Sequence, residues 1–285
     1  MVKKVLVADV GGTNTTLGVF NFNDSSLSNI KKIKTNDLDI ESELNNYKDL
    51  EKLAGASIAV AGPVKLNSVS MTNFNKNFSS KALSKKSNLD VLLINDFEAL
   101  GFYVKNNGFK KILIVGAGTG LGKVFVLDDV IPSEGGNQDF PFARGEDKLK
   151  DFFFKKLKRI PEYEDLVSGR GASLLKDFYS KKRLSSGELD PEFIFSNKDD
   201  SLNKLVISSF SKFYGRFIKN SNADFLPEKI FVAGGIARKN PWILKSSDFL
   251  SELQHRYLKK PKIILLKDKY AALIGAGVAF KHKNI

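Results

Sequence analysis

The chain has 285 residues, 42% of them hydrophobic, enough to bury a sizeable core in one large domain or two lobes. It has no cysteine and two histidines, His255 and His282, which excludes disulfides, a thiolate metal centre and a histidine-rich metal site. Its formal charge of +13 is scattered over lysine pairs such as Lys3-Lys4, Lys85-Lys86, Lys181-Lys182 and Lys259-Lys260, so it reads as a solvated surface rather than a nucleic-acid-binding tail.

No apolar run approaches the ~18 residues of a membrane span. The opening "MVKKVLVADVGG" has lysines before an apolar run, but Asp9 interrupts that run after Ala8. A secretory h-region needs roughly 7–15 apolar residues, so the segment is expected to be a first strand and the protein cytoplasmic. Residues 4–10 and 15–22 read as two strands joined by a glycine turn, and "NIKKIKT" as a third. "DIESELNNYKDLEKLAG" has helical spacing, with Ile40, Leu44, Leu50 and Leu53 apolar and Gly55 as its stop. "ASIAVAGPV" (56–64) and "VLLIND" (91–96) read as buried strands, and "FEALGFYVKN" as a helix. Residues 111–127 repeat the strand, glycine turn, strand theme. Helices are expected at 145–158 and 201–220, a strand and glycine turn at 229–236, a late strand at 262–267 and an apolar helix at 270–280. This alternation is that of an α/β protein, and the early run of three strands implies mixed sheets.

Three glycine turns carry the chemistry. "DVGGTNTTLG" puts Asp9 at the end of a strand and Gly11, Gly12, Thr13 and Asn14 beyond it. "GAGTGLG" contains Gly118, Thr119 and Gly120, and "AGGI" contains Gly234 and Gly235. Backbone N–H groups in such turns cradle anions. The first two are followed by a strand rather than a helix, which is not the dinucleotide fingerprint, and there is no Walker loop. Two lobes each offering such a hairpin would clamp a nucleotide, with Asp9 suited to hold Mg²⁺ through water.

The segments "VADVGGTNTTLGVF", "IAVAGPV…MTN", "LINDFEALG", "GAGTGLG", "SEGGNQDF", "LVSGRG" and "FVAGGI" follow one another in the order seen in the bacterial-type glucokinases, of the sugar kinase/actin/Hsp70 superfamily. The resemblance runs from about residue 4 to 280. It implies a two-lobed ribonuclease-H-like (actin-like ATPase) fold with mixed sheets and a cleft between lobes. We expect a small lobe of 1–106 plus 268–285 and a large lobe of 107–267. The "GAGVAF" run in the final helix is expected to pack that helix against the first lobe.

What the resemblance implies chemically is phosphorylation of the 6-hydroxyl of glucose from ATP-Mg²⁺. By similarity Asp96 is the general base and Asn95 grips neighbouring hydroxyls. Phosphoryl transfer to an alcohol needs such a carboxylate to orient the oxygen and take its proton. Glu134 and Glu164 are the carboxylates that meet the sugar hydroxyls, the glycines after Glu134 letting backbone approach the ring. Gly234 and Gly235 line the adenosine side, and the nests at Gly11–Asn14 and Gly118–Gly120 hold phosphates, with Asp9 near the Mg²⁺. The family motif Glu-Gly-Gly-His reads Glu-Gly-Gly-Asn here, so Asn137 stands where the family has histidine. Asn137 is shorter and uncharged, which leaves an N-acetylhexosamine kinase open beside a glucose kinase. A sugar-responsive regulator on the same scaffold is a further alternative, but the first strand starts too near Met1 for an N-terminal helix-turn-helix. The expected partners are hexose and ATP, with no nucleic acid and no membrane, and the family expectation is a homodimer.

Overall fold

The computed structural model describes residues 4–50, 52–71, 76–180 and 184–284. Thr72 and Asn73 of the "MTN" segment, with Lys3, Lys181 and Lys182 of the lysine pairs, lie outside the described residues. The chain divides into two compact units. Unit 1 is Met1–Lys111, Val124–Pro132 and Asp268–Ile285, and unit 2 is Ile112–Lys123 and Ser133–Lys267. The sequence-based boundary would have put 107–111 and 124–132 in the second lobe; their contacts group them with the first.

In chain order unit 1 begins with β1 (Lys4–Val10), β2 (Asn14–Asn21), β3 (Leu27–Lys34), α1 (Ile40–Leu50) and β4 (Gly55–Val60). It continues with β5 (Val64–Lys65), β6 (Ser68–Met71), β7 (Lys76–Ser79), α2 (Ser80–Ser87), β8 (Asp90–Asn95) and α3 (Asp96–Asn106). The main sheet runs β3-β2-β1-β4-β8. β1 pairs antiparallel with β2 and parallel with β4, and β4 parallel with β8, so the sheet is mixed. Two departures from the sequence reading stand out. Gly55 starts buried β4 rather than stopping α1, because residues 55–60 are inaccessible along their whole length. Val64–Lys65, Ser68–Met71 and Lys76–Ser79 form a small antiparallel sheet, β5-β6-β7, too short and polar to show a period.

The chain then forms β9 (Ile112–Ala117), β10 (Leu121–Val126) and β11 (Val130–Ser133). Next come α4 (Asp147–Leu157), α5 (Tyr163–Leu166), α6 (Gly169–Tyr179), α7 (Pro191–Ser196) and α8 (Ser201–Phe225). β12 (Lys229–Ala233), α9 (Gly235–Lys239), α10 (Ser247–Glu252) and β13 (Lys262–Leu265) precede the final helix, α11 (Ala271–Asn284). The second sheet has the order β11-β10-β9-β12-β13, with β12 parallel to both β9 and β13. α8 is the spine of unit 2. Asp200 caps it, accepting from the N–H groups of Leu202 and Asn203, and Phe210, Phe213, Tyr214 and Phe217 bury one face at helical spacing. In "DFFFKKL" Phe153 is core, while Phe154 is exposed.

α11 belongs to unit 1, packing with Val5, Val7, Phe20, Ala99 and Phe102. Gly275 lies directly on the Ala99 carbonyl and Gly277 on the Phe20 ring, leaving no room for a side chain. Gly275→Ala is therefore expected to destabilise the protein by about 1–3 kcal/mol through overpacking. Gly187→Ala, where an added Cβ meets nothing within 4 Å, should fall within about 0.5 kcal/mol of wild type. Urea midpoints compare the two.

Candidate active site

In unit 1 the parallel register aligns Val10 of β1 with Val60 of β4, and Val60 with Asn95 of β8. These three residues form a row at the carboxyl edge of the sheet, where ligands gather in α/β folds. At ordinary strand spacing the outer two are about 10 Å apart. The Gly11–Asn14 turn and the Asn95-Asp96 pair thus share one edge. Asp9 is half-buried, opposite Thr16 on β2 and Ala59 on β4.

The first glycine turn is closed by the Gly11 N–H donating to the Asn14 carbonyl at 3.1 Å. A buried residue the sequence did not mark, Thr35, braces it. Its hydroxyl donates to the Gly11 carbonyl at 2.8 Å and its N–H to the Thr13 carbonyl at 3.1 Å. Thr13 and Asn14 are exposed at the tip, and Asn14 is already the first residue of β2.

Asn95 and Asp96 take different places at this corner. Asn95 is the N-cap of α3, its Oδ1 accepting from the N–H of Phe97 at 2.8 Å and of Glu98 at 3.3 Å. Its Nδ2 donates to the Gly62 carbonyl at 3.1 Å. An amide has two acceptor sites and two donor hydrogens, so Asn95 retains one N–H for a ligand. Asp96 is the first residue of the helix, half-buried, with Oδ1 accepting from the Phe97 N–H at 3.0 Å. The cap holds the strand-to-helix corner on which that carboxylate stands.

In unit 2 the second and third glycine turns adjoin. The Gly118 N–H donates to the Gly120 carbonyl at 2.8 Å, closing the β9–β10 hairpin with Thr119 exposed at its tip. A Cβ built on Gly118 would come within 3.9 Å of the Gly235 N. Parallel pairing of Ala233 with Gly116 brings both turns to the same sheet edge.

Leu121, the first residue of β10, joins the remaining pieces. Its N–H donates to Glu164 Oε2 at 2.8 Å. Its carbonyl faces Gly136, whose Cα lies so close that a Cβ would collide. Gly135 likewise lies on the methylenes of Lys123. The two glycines of "SEGGN" are thus required by β10 beneath them, whatever approaches from above. Glu134 and Asn137 flank them in a 3-10 turn, both exposed, with the Asn137 N–H donating to the Glu134 carbonyl at 3.0 Å.

Lys123 is buried, and it was missing from the sequence reading because a lone lysine in a strand looks like surface. Its Nζ donates to Gln138 Oε1 at 3.0 Å and Asp224 Oδ2 at 3.2 Å, and lies over the Phe217 and Phe225 rings. The Tyr163 N–H donates to the Gln138 carbonyl at 2.9 Å, and Asp139 bridges to Glu162. These bonds tie the segment after Glu134 to the segment carrying Glu164. Burial raises the Glu164 pKa above the ordinary glutamate value, Asp165 and Glu162 adding to it, against the Leu121 N–H and Arg170. The structure therefore groups Gly118, Thr119, Gly120, Gly234, Gly235, Glu134, Asn137 and Glu164 in unit 2, and Asp9, Gly11–Asn14, Asn95 and Asp96 in unit 1.

Comparison with known proteins identifies the family. The family model described as Glucokinase matches residues 6–283. A glucokinase of Tolumonas auensis is 28% identical over 99% of this chain and 98% of its own. Among solved structures, the glucokinase of Balamuthia mandrillaris in complex with glucose superposes with a TM-score of 0.85 at 21% identity, covering 98% of this chain and 94% of that one. A ROK family glucokinase of Streptomyces griseus in complex with glucose and AMPPNP gives 0.72 at 14% identity, over 96% of this chain and 97% of that one. The fold is the α/β fold of these solved glucokinases, here in two compact units with mixed sheets. The chain belongs to the Glucokinase family of ATP-dependent sugar kinases.

Proposed function

We propose that this kinase transfers the γ-phosphate of ATP to the 6-hydroxyl of glucose, with Asp96 as the general base. The observation that carries the reading is the single sheet edge shared by the Asp96 corner and the Gly11–Asn14 turn. The glucose and AMPPNP complexes of the two structural relatives support it. Asp96 accepts the proton as the 6-oxygen attacks the γ-phosphorus, the bond to the β-bridging oxygen breaks, and ADP leaves. Asn95 fixes the corner and offers its one remaining N–H to the sugar. Glu134, Asn137 and Glu164 hold further hydroxyls. Gly11, Gly12, Thr13, Asn14, Gly118, Thr119 and Gly120 bind phosphates, and Gly234 and Gly235 line the adenosine.

Mg²⁺ enters with ATP as part of the substrate. Among the described residues no three acidic or histidine side chains gather as a resident metal cage. An ion that stays on phosphate and water needs one carboxylate, for which Asp9 is the residue. Among the described residues no helix is long and apolar enough to cross a membrane. In this reading the enzyme works in the cytoplasm as a homodimer.

The test is ADP release from ATP-Mg²⁺ against glucose, mannose, glucosamine, N-acetylglucosamine and N-acetylmannosamine. Glucose-dependent turnover is expected, with Asn137 replacing the family histidine at the C1–C2 edge. Turnover only with N-acetylated sugars would replace glucose as the substrate, and none with any sugar would end the hexose reading.

A further inference from the structure

The segment from Glu164 to Gly171, whose Glu164 the family resemblance gives to the sugar, is fastened to the second glycine turn and the strand it opens at two points. Leu121 donates its N–H to Glu164 Oε2 at 2.8 Å, and Gly169 donates its N–H to the Gly118 carbonyl at 2.8 Å. Turn and segment lie close together: a Cβ on Gly120 would come 2.7 Å from Glu164 Oε2, too close, and one on Gly169 would touch the Gly118 carbonyl at 3.4 Å. The segment itself is rigidly held. Glu162 and Asp165 form a capping box, Arg159 donates to Asp165 at 2.9 Å, and buried Ser168 caps α6 by accepting the Gly171 N–H at 3.0 Å. The turn opposite is three residues, two of them glycine, and has few conformational restraints of its own. A hydrogen bond from a backbone N–H to a half-buried carboxylate is among the stronger ones available to it.

We propose that Glu164 is a positioning residue for the nucleotide's phosphate turn, holding Gly118–Leu121 in its binding shape before any sugar arrives. This rests on the reading above that the turn binds phosphate. One carboxylate serves both tasks, since Oε2 holds the turn and the carboxylate has further acceptor sites for a hydroxyl.

The experiment measures ADP-Mg²⁺ affinity by calorimetry without sugar, in wild type and in Glu164→Ala, Glu164→Asp, Glu164→Gln and Thr119→Asp. Glu164→Ala removes the acceptor and is expected to weaken ADP about tenfold, as loss of a charged hydrogen bond does. Glu164→Asp keeps the charge but withdraws it by one methylene, and decides the matter by the same loss if the alanine variant does not fold. Glu164→Gln retains an acceptor oxygen and is expected to bind ADP within about twofold of wild type. Rescue by glutamine separates positioning of the N–H from bulk electrostatics or a general loss of fold. Thr119→Asp, which sets a negative charge at the tip of the turn, is expected to abolish ADP binding. If it does while Glu164→Ala and Glu164→Asp bind ADP like wild type, the phosphate reading stands and the positioning inference is overturned. If Thr119→Asp binds ADP normally, the turn is not the phosphate site and both fall.

Discussion

Asp96→Asn is expected to lower kcat for hexose phosphorylation by a factor of about 10²–10⁴, with the sugar KM changed by no more than about threefold. The substitution is close to isosteric. The new Oδ1 still accepts the Phe97 N–H that Asp96 accepts at 3.0 Å, so the start of α3 keeps its shape. Asn95 remains the cap, bonded to Phe97, Glu98 and Gly62. What disappears is the one group at this corner that takes a proton. The remaining rate reflects substrate positioning and charge stabilisation, which account for most of phosphoryl-transfer catalysis. Steady-state kinetics with both substrates varied checks it. A kcat within tenfold of wild type would show that Asp96 is not the base, and a large rise in KM at unchanged kcat would make it a binding group only.

Arg216→Ala is expected to cost about 3–5 kcal/mol of folding stability, a large share of the roughly 5–15 kcal/mol that holds a domain together. Arg216 lies on α8, almost inaccessible, against the Phe140 and Phe213 rings. Its guanidinium donates to both oxygens of Glu146 at 2.8 Å, to the Pro141 carbonyl at 3.0 Å and to Glu252 at 3.3 Å. Removing it leaves two largely covered carboxylates, with Lys212 on Glu146 and Lys219 on Glu252 as cations still beside them. Arg216→Lys should recover only part of the loss, because an ammonium cannot make the two-pronged contact. The site is affected as well, since Phe140 and Pro141 follow directly on "SEGGNQD".

The same cluster sets a pH dependence. Burial alone would raise the Glu146 pKa, but hydrogen bonds from Arg216, the Ala143 N–H and Lys212 outweigh it and hold the carboxyl at about 2, against 4.5 for a free glutamate. A depressed pKa contributes stability that is full above about 4.5 and is lost as pH falls toward 2. Urea midpoints of wild type should fall steeply through that window, and those of Arg216→Ala should fall less. Parallel curves for the two would show that Arg216 does not hold Glu146 ionised.

The local code was readable without coordinates. Strand, glycine turn, strand at both hairpins, the Asn95-Asp96 pair at a strand end and the small-residue face of α11 follow from turn chemistry and side-chain periodicity, which act over a few residues. Mixed sheets followed from three strands met before the first helix. What only the tertiary structure decided is which polar groups meet. Leu121 and Glu164 are 43 residues apart, Arg216 and Glu146 70. Thr35, Lys123 and Arg216 carry no local mark of burial, because a polar side chain is buried only when distant partners satisfy it. For the same reason the cap bonds of Asn95 and the packing of the glycines after Glu134 on β10 are not legible in the sequence. Sequence spacing determines what each segment can form; contacts across tens of residues determine what each polar atom is left free to do.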